Sequence, residues 1–258
     1  MHISHATILF LAGIAAGAIN SVAGGGSFVT FPALLFVGIP PVNANASNAV
    51  AVWPGQAVSI GAYRSQFRNL SWSTMTPLII TAILGGILGG WTLLKTPQAI
   101  FMRLVPWLIL AATIIFAMSG SVTRWVRKRT ASGEHHEFSN VRAVSIQIFI
   151  AFYIGYFGAG AGILILAMLA LLGMEEIHTM NALKALLTTV SNGVALVLFV
   201  LAHAVYWPET IVMAVGSILG GYFGAYFAQK TKPGYVRAIV IAIGFTLSVY
   251  YFARQIWS

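Results

Sequence analysis

The sequence predicts an all-α polytopic membrane protein built from two inverted repeats. Three observations carry that prediction. The 258 residues are 59% hydrophobic and 7% charged, whereas soluble domains carry about 25% charged residues. Apolar runs of membrane-spanning length recur along the chain. A glycine cluster, AGGGS at 23–27, interrupts the apolar sequence near the start, and a second, GAGAG at 158–162, does so about 135 positions later.

The apolar runs fall at 6–21, 28–39, 45–63, 74–94 and 103–120, then at 143–157, 162–174, 181–203, 209–229 and 235–253. Each half holds three long runs and a short pair around its glycine break, giving eight to ten membrane segments in all. The polar stretch 121–142 divides the chain into a first repeat, 1–120, and a second, 143–258, with a basic cytoplasmic linker between them. The N-terminus, MHISHATILF, has no basic region and no small-residue cleavage site, so it reads as the first membrane segment.

The two halves align. Asn45-Ala46 matches Asn181-Ala182, ILGGILGG at 83–90 matches ILGGYFGA at 218–225, and Lys95-Thr96 matches Lys230-Thr231. Gly85, Gly86, Gly89 and Gly90, and their counterparts Gly216, Gly220, Gly221 and Gly224, form small-residue faces. Such faces let helix backbones approach closely, so they are expected to pack helices and not to hold ligand.

Charge arbitrates the orientation of the repeats. A span of the bilayer needs about 20 residues, so each short pair is two tilted crossings, a re-entrant hairpin or one broken crossing. The first two make the repeats inverted, the third parallel. The inverted arrangement places Arg64, Arg68, Arg124, Arg127, Lys128, Arg129, Arg142, Lys230, Lys232 and Arg237 inside, and leaves Lys95, Arg103 and Arg254 outside. The parallel arrangement strands the 230–237 cluster outside, so inversion is the expected topology. Both termini are then outside.

Several function classes fall away. The formal charge of +9 would suggest nucleic acid in a soluble protein, but the basic residues sit mainly in short connections, where they encode orientation. The absence of cysteine removes thiolate metal sites and Cys nucleophiles. No His/Glu metal spacing, phosphate loop or hydrolase triad is visible, so neither an enzyme nor a cofactor is expected.

A broken helix inside a bilayer leaves N–H and C=O groups that lipid cannot satisfy, and a duplicated break marks a transport site. The first candidate group is therefore Asn20, Gly24, Gly25, Gly26 and Ser27, where a helix restarting near Ser27 would offer free N–H groups and its positive dipole end to an anion. Gly158, Gly160 and Gly162 form the second copy, with a restart expected at Ile163. On the inverted arrangement the two starts are expected to face one another and hold the anion between them. The second group is polar: Asn43, Asn45, Ser47 and Asn48 at the start of the third segment, and Asn181, Lys184, Thr188 and Asn192 in the equivalent stretch. The latter four share one helical stripe. The alignment sets Asn48 opposite Lys184 and Gln56 opposite Asn192. Pro32, Pro54 and Pro106 interrupt apolar runs, and Trp53-Pro54-Gly55-Gln56 is the most irregular point of its segment. Lys184 is the one basic residue well within an apolar run. The alternative is an interfacial lysine whose ammonium snorkels to water.

The run NSVAGGGSFVTFPALLFVGIPPVNANASNAV at 20–50 strongly resembles the first repeat of the TauE/SafE sulfite exporter family. GYFGAGAGI at 155–163, with NALK at 181–184, resembles its second repeat. The resemblance covers essentially the whole chain. It implies a bacterial inner-membrane transporter of small sulfur-containing anions, such as sulfite, sulfonates and sulfoacetate-like compounds, commonly exported. It supports Asn20, Gly24 to Ser27, Asn45, Asn48, Gly158 to Gly162, Asn181 and Lys184 as the functional core.

The expected function is thus secondary transport of a small sulfur anion by alternating access, with the lipid bilayer as environment and a homo-oligomer compatible with the sequence. An anion channel, or a permease for another small organic anion, is the alternative. A channel predicts weakly saturable flux, whereas a transporter predicts saturable counterflow.

Overall fold

The computed structural model describes residues 3–22, 25–61, 64–67, 70–131, 140–172, 174, 176–228 and 233–256. Gly24, Arg68, Lys230 and Lys232, which figured in the sequence reading, lie outside them. So do Glu134, Glu137 and Glu175.

Among the described residues every regular element is a helix. They are α1 (Ile3–Val22), α2 (Ser27–Phe36), α3 (Pro41–Gly61), α4 (Arg64–Phe67), α5 (Trp72–Lys95), α6 (Gln98–Ala131), α7 (Asn140–Tyr156), α8 (Ala161–Leu171), α9 (Ile177–Leu201), α10 (Trp207–Ala228) and α11 (Pro233–Ile256). Each apolar run of the sequence corresponds to one helix, and the all-helical, membrane-spanning class is as expected. Five spans are long and apolar enough to cross a membrane: Ile3–Asn20, Trp72–Lys95, Gln98–Trp125, Ile177–Leu201 and Ala238–Gln255. With 10 and 11 residues, α2 and α8 measure about 15–17 Å at about 1.5 Å per residue. That is about half of the hydrocarbon thickness.

Two details differ from the sequence reading. The second restart comes at Ala161 and not Ile163, because Gly160 takes a left-handed conformation (φ 74°) as the cap and lets the helix begin inside the glycine cluster. The polar stretch 121–142 also begins as helix, since α6 runs on to Ala131. Its Thr, Arg, Trp and Val residues offer no break until Ser132-Gly133.

The chain forms two compact units, each drawing helices from both halves of the sequence. The first comprises Met1–Gly55, Leu93–Ala117 and Phe199–Ser258. In it α1 and α10 approach through glycine. A Cβ on Gly13 would stand 2.3 Å from the Met213 carbonyl oxygen, and one on Gly220 would stand 2.0 Å from that of Ile14. Phe31 and Phe101 meet edge-on, with centroids 6.4 Å apart, and both are buried.

The second unit comprises Gln56–Thr92 and Met118–Leu198. Here α5 takes the place of α10. A Cβ on Gly89 would stand 2.1 Å from the Phe152 oxygen of α7, and one on Gly86 would stand 2.5 Å from the Ser191 oxygen of α9. The core beneath includes Leu78, Ala82, Ile154, Ile165, Leu169, Leu183 and Leu187. The glycine faces therefore pack helices, as expected. Gly221 departs from the pattern, since its nearest neighbour would be 3.9 Å away, and the surroundings of Gly224 lie outside the description.

Opposite faces of the same helices expose large apolar side chains. On α5 these are Ile80, Leu84, Ile87, Leu88 and Trp91. Helices that are apolar all round fit a bilayer solvent, where no polar outer face is required.

Candidate functional site

Each unit contains one glycine break and the polar helix that follows it. In the first unit the chain turns at Gly25 (φ 104°), a conformation open to glycine and costly for residues with a Cβ. Asn20, at the end of α1, accepts a hydrogen bond from the Gly26 N–H at 2.7 Å. The Gly25 oxygen accepts from the Phe28 N–H, and the Gly26 oxygen from those of Val29 and Thr30. The expected fan of unpaired N–H groups at this start is therefore corrected: the tight turn consumes most of it locally. Ser27 is the first residue of α2 and is half-buried.

The Asn-rich start of α3 divides between two roles. Asn43 donates to the Ala204 oxygen at 2.9 Å and accepts from Gln98 Nε2 at 2.8 Å, while the Val42 N–H donates to Gln98 Oε1 at 2.8 Å. The Ser47 hydroxyl accepts from the Tyr206 N–H at 3.0 Å. These contacts anchor the helix start. Asn45 and Asn48 are instead buried, and the Thr30 hydroxyl of α2 donates to Asn48 Oδ1.

In the second unit the break is held open by two left-handed glycines, Gly158 (φ 78°) and Gly160 (φ 74°). Tyr153 steadies it by donating its hydroxyl to the Ala159 oxygen at 2.7 Å. The Ala161 N–H donates to the Gly158 oxygen and the Ile163 N–H to that of Gly160. None of the described hydrogen bonds uses the Gly162 N–H.

The α9 stripe lies against this break. A Cβ on Gly162 would stand 3.3 Å from Lys184 Cδ, and one on Gly158 would stand 3.6 Å from Asn192 Oδ1. The helix starts at Ile177, four residues earlier than the apolar run suggested. Lys184 is consequently about 10 Å along the helix at about 1.5 Å per residue, and it is half-buried. Its ammonium donates to Asn181 Oδ1 at 2.9 Å, using one of three donors. Asn181 donates to the Ile177 oxygen at 2.9 Å, and the Thr188 hydroxyl to the Lys184 oxygen at 2.7 Å. Asn192 donates to Gln56 Oε1 at 3.0 Å.

The structure thus brings Gly158, Gly162, Lys184, Asn181, Asn192 and Gln56 into one neighbourhood, with Thr188 turned to its own helix. Asn20, Gly25, Gly26 and Ser27 form the first unit's break, where Asn48 joins α2 through Thr30. Sequence reasoning missed Thr30, Tyr153 and Gln98. Thr30 had a faint signal, as the only hydroxyl within α2 after Ser27; Tyr153 and Gln98 had none. Just ahead of the first residue of α9 and of its candidate membrane span, Glu176 caps the helix. Burial pushes its carboxyl up, but hydrogen bonds from the Thr179 hydroxyl and the His178 and Thr179 N–H groups hold it below the ordinary glutamate value. Among the described residues no group of three or more His, Cys, Asp or Glu stands close enough to hold a metal.

Comparison with known proteins agrees with this architecture. The family model for the sulfite exporter TauE/SafE matches residues 9–251. A probable membrane transporter protein of Haemophilus influenzae is 31% identical over 251 residues, covering 97% of this chain and 95% of the relative. The probable membrane transporter protein YfcA of Escherichia coli K12 is 27% identical, covering 93% of this chain and 87% of its own. The Sinorhizobium relative ORF9, also a probable membrane transporter protein, is 25% identical over 250 residues, covering 93% of this chain and 90% of its own. No solved structure matches. With spans of the required length and a family model matching nearly end to end, the chain is a multi-pass membrane transporter protein that belongs to the sulfite exporter TauE/SafE family.

Proposed function

We propose that this protein carries a small sulfur oxyanion, sulfite or a sulfonate, outward across the bacterial inner membrane by alternating access. The observation that carries the reading is Lys184. A half-buried ammonium, tied to Asn181 at 2.9 Å and packed along Gly162, stands about 10 Å inside a membrane helix. Placing a cation there costs roughly 2.5–3.5 kcal/mol on insertion scales, and an anionic ligand offsets that cost. The adjacent Gly162 N–H at the start of α8 adds a donor at the positive end of the helix dipole. A tetrahedral or pyramidal oxyanion suits such a set of divergent donors, and the family description supports sulfur as its centre.

In the first unit we assign Asn20, Gly24 to Ser27, Asn45 and Asn48 as a second, neutral polar group. Gln56, Gly158, Gly160, Thr188 and Asn192 frame the charged cluster.

Counterflow in proteoliposomes tests this reading. Internal unlabelled sulfite or sulfonate should accelerate uptake of the labelled anion, saturably, and Lys184→Gln should abolish the effect. Rapid movement of chloride or a carboxylate, with no counterflow of any sulfur anion, overturns the substrate assignment. Linear, unsaturable flux overturns the transporter mechanism in favour of a channel.

A further inference from the structure

We propose that the C-terminal end of α6 is a binding surface for anionic phospholipid headgroups. The argument begins with length. With 34 residues, α6 extends about 51 Å at about 1.5 Å per residue, whereas the hydrocarbon core is about 30 Å thick. Several turns must leave the core, and the sequence says which: the helix ends in TRWVRKRT at 123–130.

The side chains locate the boundary. Trp107, Ala111, Ile114, Met118, Ser121 and Trp125 are all exposed and recur at helical spacing on one face. Trp107 and Trp125 are 18 residues apart, five turns and about 27 Å along the axis. Tryptophans are enriched at the two membrane interfaces, and this separation matches the hydrocarbon thickness. Between them the exposed face carries Ile114 and Met118, suited to acyl chains.

Beside this face the helix then becomes cationic. Arg124 and Lys128, one turn apart, are both exposed. The Arg124 Nε donates to the Gly120 oxygen at a long 3.3 Å and Nη2 to the Ser121 hydroxyl at 3.5 Å, two weak bonds that use two of the five guanidinium N–H donors and that a phosphate oxygen can replace. A lipid-facing stripe that passes an interfacial Trp and continues into two cations meets headgroups at their own depth. The C-terminal dipole of α6 favours positive charge at this end, so the cations are stabilised in place. Phosphate diesters accept bidentate bonds from Arg. A zwitterionic headgroup carries its own ammonium and gains no net attraction. Phosphatidylglycerol, with a single unbalanced negative charge, fits best.

The test uses the full chain purified in neutral detergent, with its thermal unfolding followed during titration of phosphatidylglycerol, phosphatidylcholine or inorganic phosphate. Phosphatidylglycerol should stabilise the protein, and phosphatidylcholine and phosphate should not. In the double variant R124Q/K128Q the half-stabilising phosphatidylglycerol concentration should rise roughly thirty-fold, the equivalent of about 1 kcal/mol per cation. The variant R124K/K128R, which keeps both charges, should retain the response and exclude a folding defect as its cause. Equal stabilisation by phosphatidylcholine, or an unchanged midpoint in R124Q/K128Q, overturns the proposal. Stabilisation by inorganic phosphate equal to that by phosphatidylglycerol also overturns it, because the surface would then take a soluble anion.

Discussion

Asn192 of α9 donates a hydrogen bond to Gln56 of α3 at 3.0 Å. These two residues occupy the same position in the two copies of the sequence, 136 residues apart, as Asn45 and Asn181 do. Under an inverted repeat, equivalent residues in mutual contact must lie next to the two-fold axis, since their separation is twice their distance from it. The same holds for a two-fold along the membrane normal, so the amide pair marks where the two copies meet.

The pair should be energetically coupled. Gln56→Ala and Asn192→Ala are each expected to destabilise the protein by about 1 kcal/mol, with a coupling of about 0.6 and at most about 1.7 kcal/mol, the range for side-chain bonds within membranes. Unfolding of the two single variants and the double variant in mixed micelles measures this. Strict additivity would show that the two amides act independently.

The small-residue faces should discriminate between neighbouring glycines. Gly220→Ala places a methyl 2.0 Å from the Ile14 oxygen, and backbone cannot yield as a flexible side chain does. A loss of about 1–3 kcal/mol or more is expected. Gly221→Ala meets its first neighbour only at 3.9 Å and should be neutral, or stabilising by up to about 1 kcal/mol through helix propensity. A comparison of their melting temperatures in detergent decides the matter; equal losses would refute the packing role assigned to Gly220.

The Lys184 stem offers a graded probe of the proposed anion site. Gly162→Ala puts a methyl 3.3 Å from Lys184 Cδ, close enough to displace a flexible side chain without unfolding the helix. The half-saturating concentration of the proposed sulfur anion should rise several-fold while the folding stability stays within about 0.5 kcal/mol of wild type. Lys184→Gln should raise it further, by roughly ten-fold for each 1.4 kcal/mol of lost attraction. Transport kinetics that are identical in all three proteins would remove Lys184 from the site.

The Glu176 cap predicts a specific pH dependence. Its folded-state value is lowered, so its stabilisation is fully present above the unfolded value of about 4.3 and is lost as pH falls through the folded one. Glu176→Ala should cost about 0.5–2 kcal/mol at neutral pH. The difference from wild type should shrink only below about pH 4.3. A difference that stays constant well below about pH 4.3, or that vanishes well above it, would remove the Glu176 carboxylate as its source.

By itself the sequence determined the order of the helices, the duplicated breaks and the packing role of most glycines. In a bilayer the backbone must satisfy itself, so hydropathy alone dictates helix and span. The stripe Asn181, Lys184, Thr188, Asn192 was legible for the same reason, because helical periodicity is local. Tertiary structure decided what periodicity cannot encode. It showed that α5 packs with α7 and α9 while α10 packs with α1, an exchange of helices between the halves that depends on backbone contacts far apart in the chain. It showed that Asn43 and Ser47 anchor a loop near 204–206, whereas Asn48 meets Thr30, although all belong to one Asn-rich stretch. It also divided the two breaks: Asn20 bonds the Gly26 N–H at the first, whereas half-buried Lys184 packs along Gly162 at the second. Which polar groups remain available depends on partners brought together in space, and that information resides in the packing.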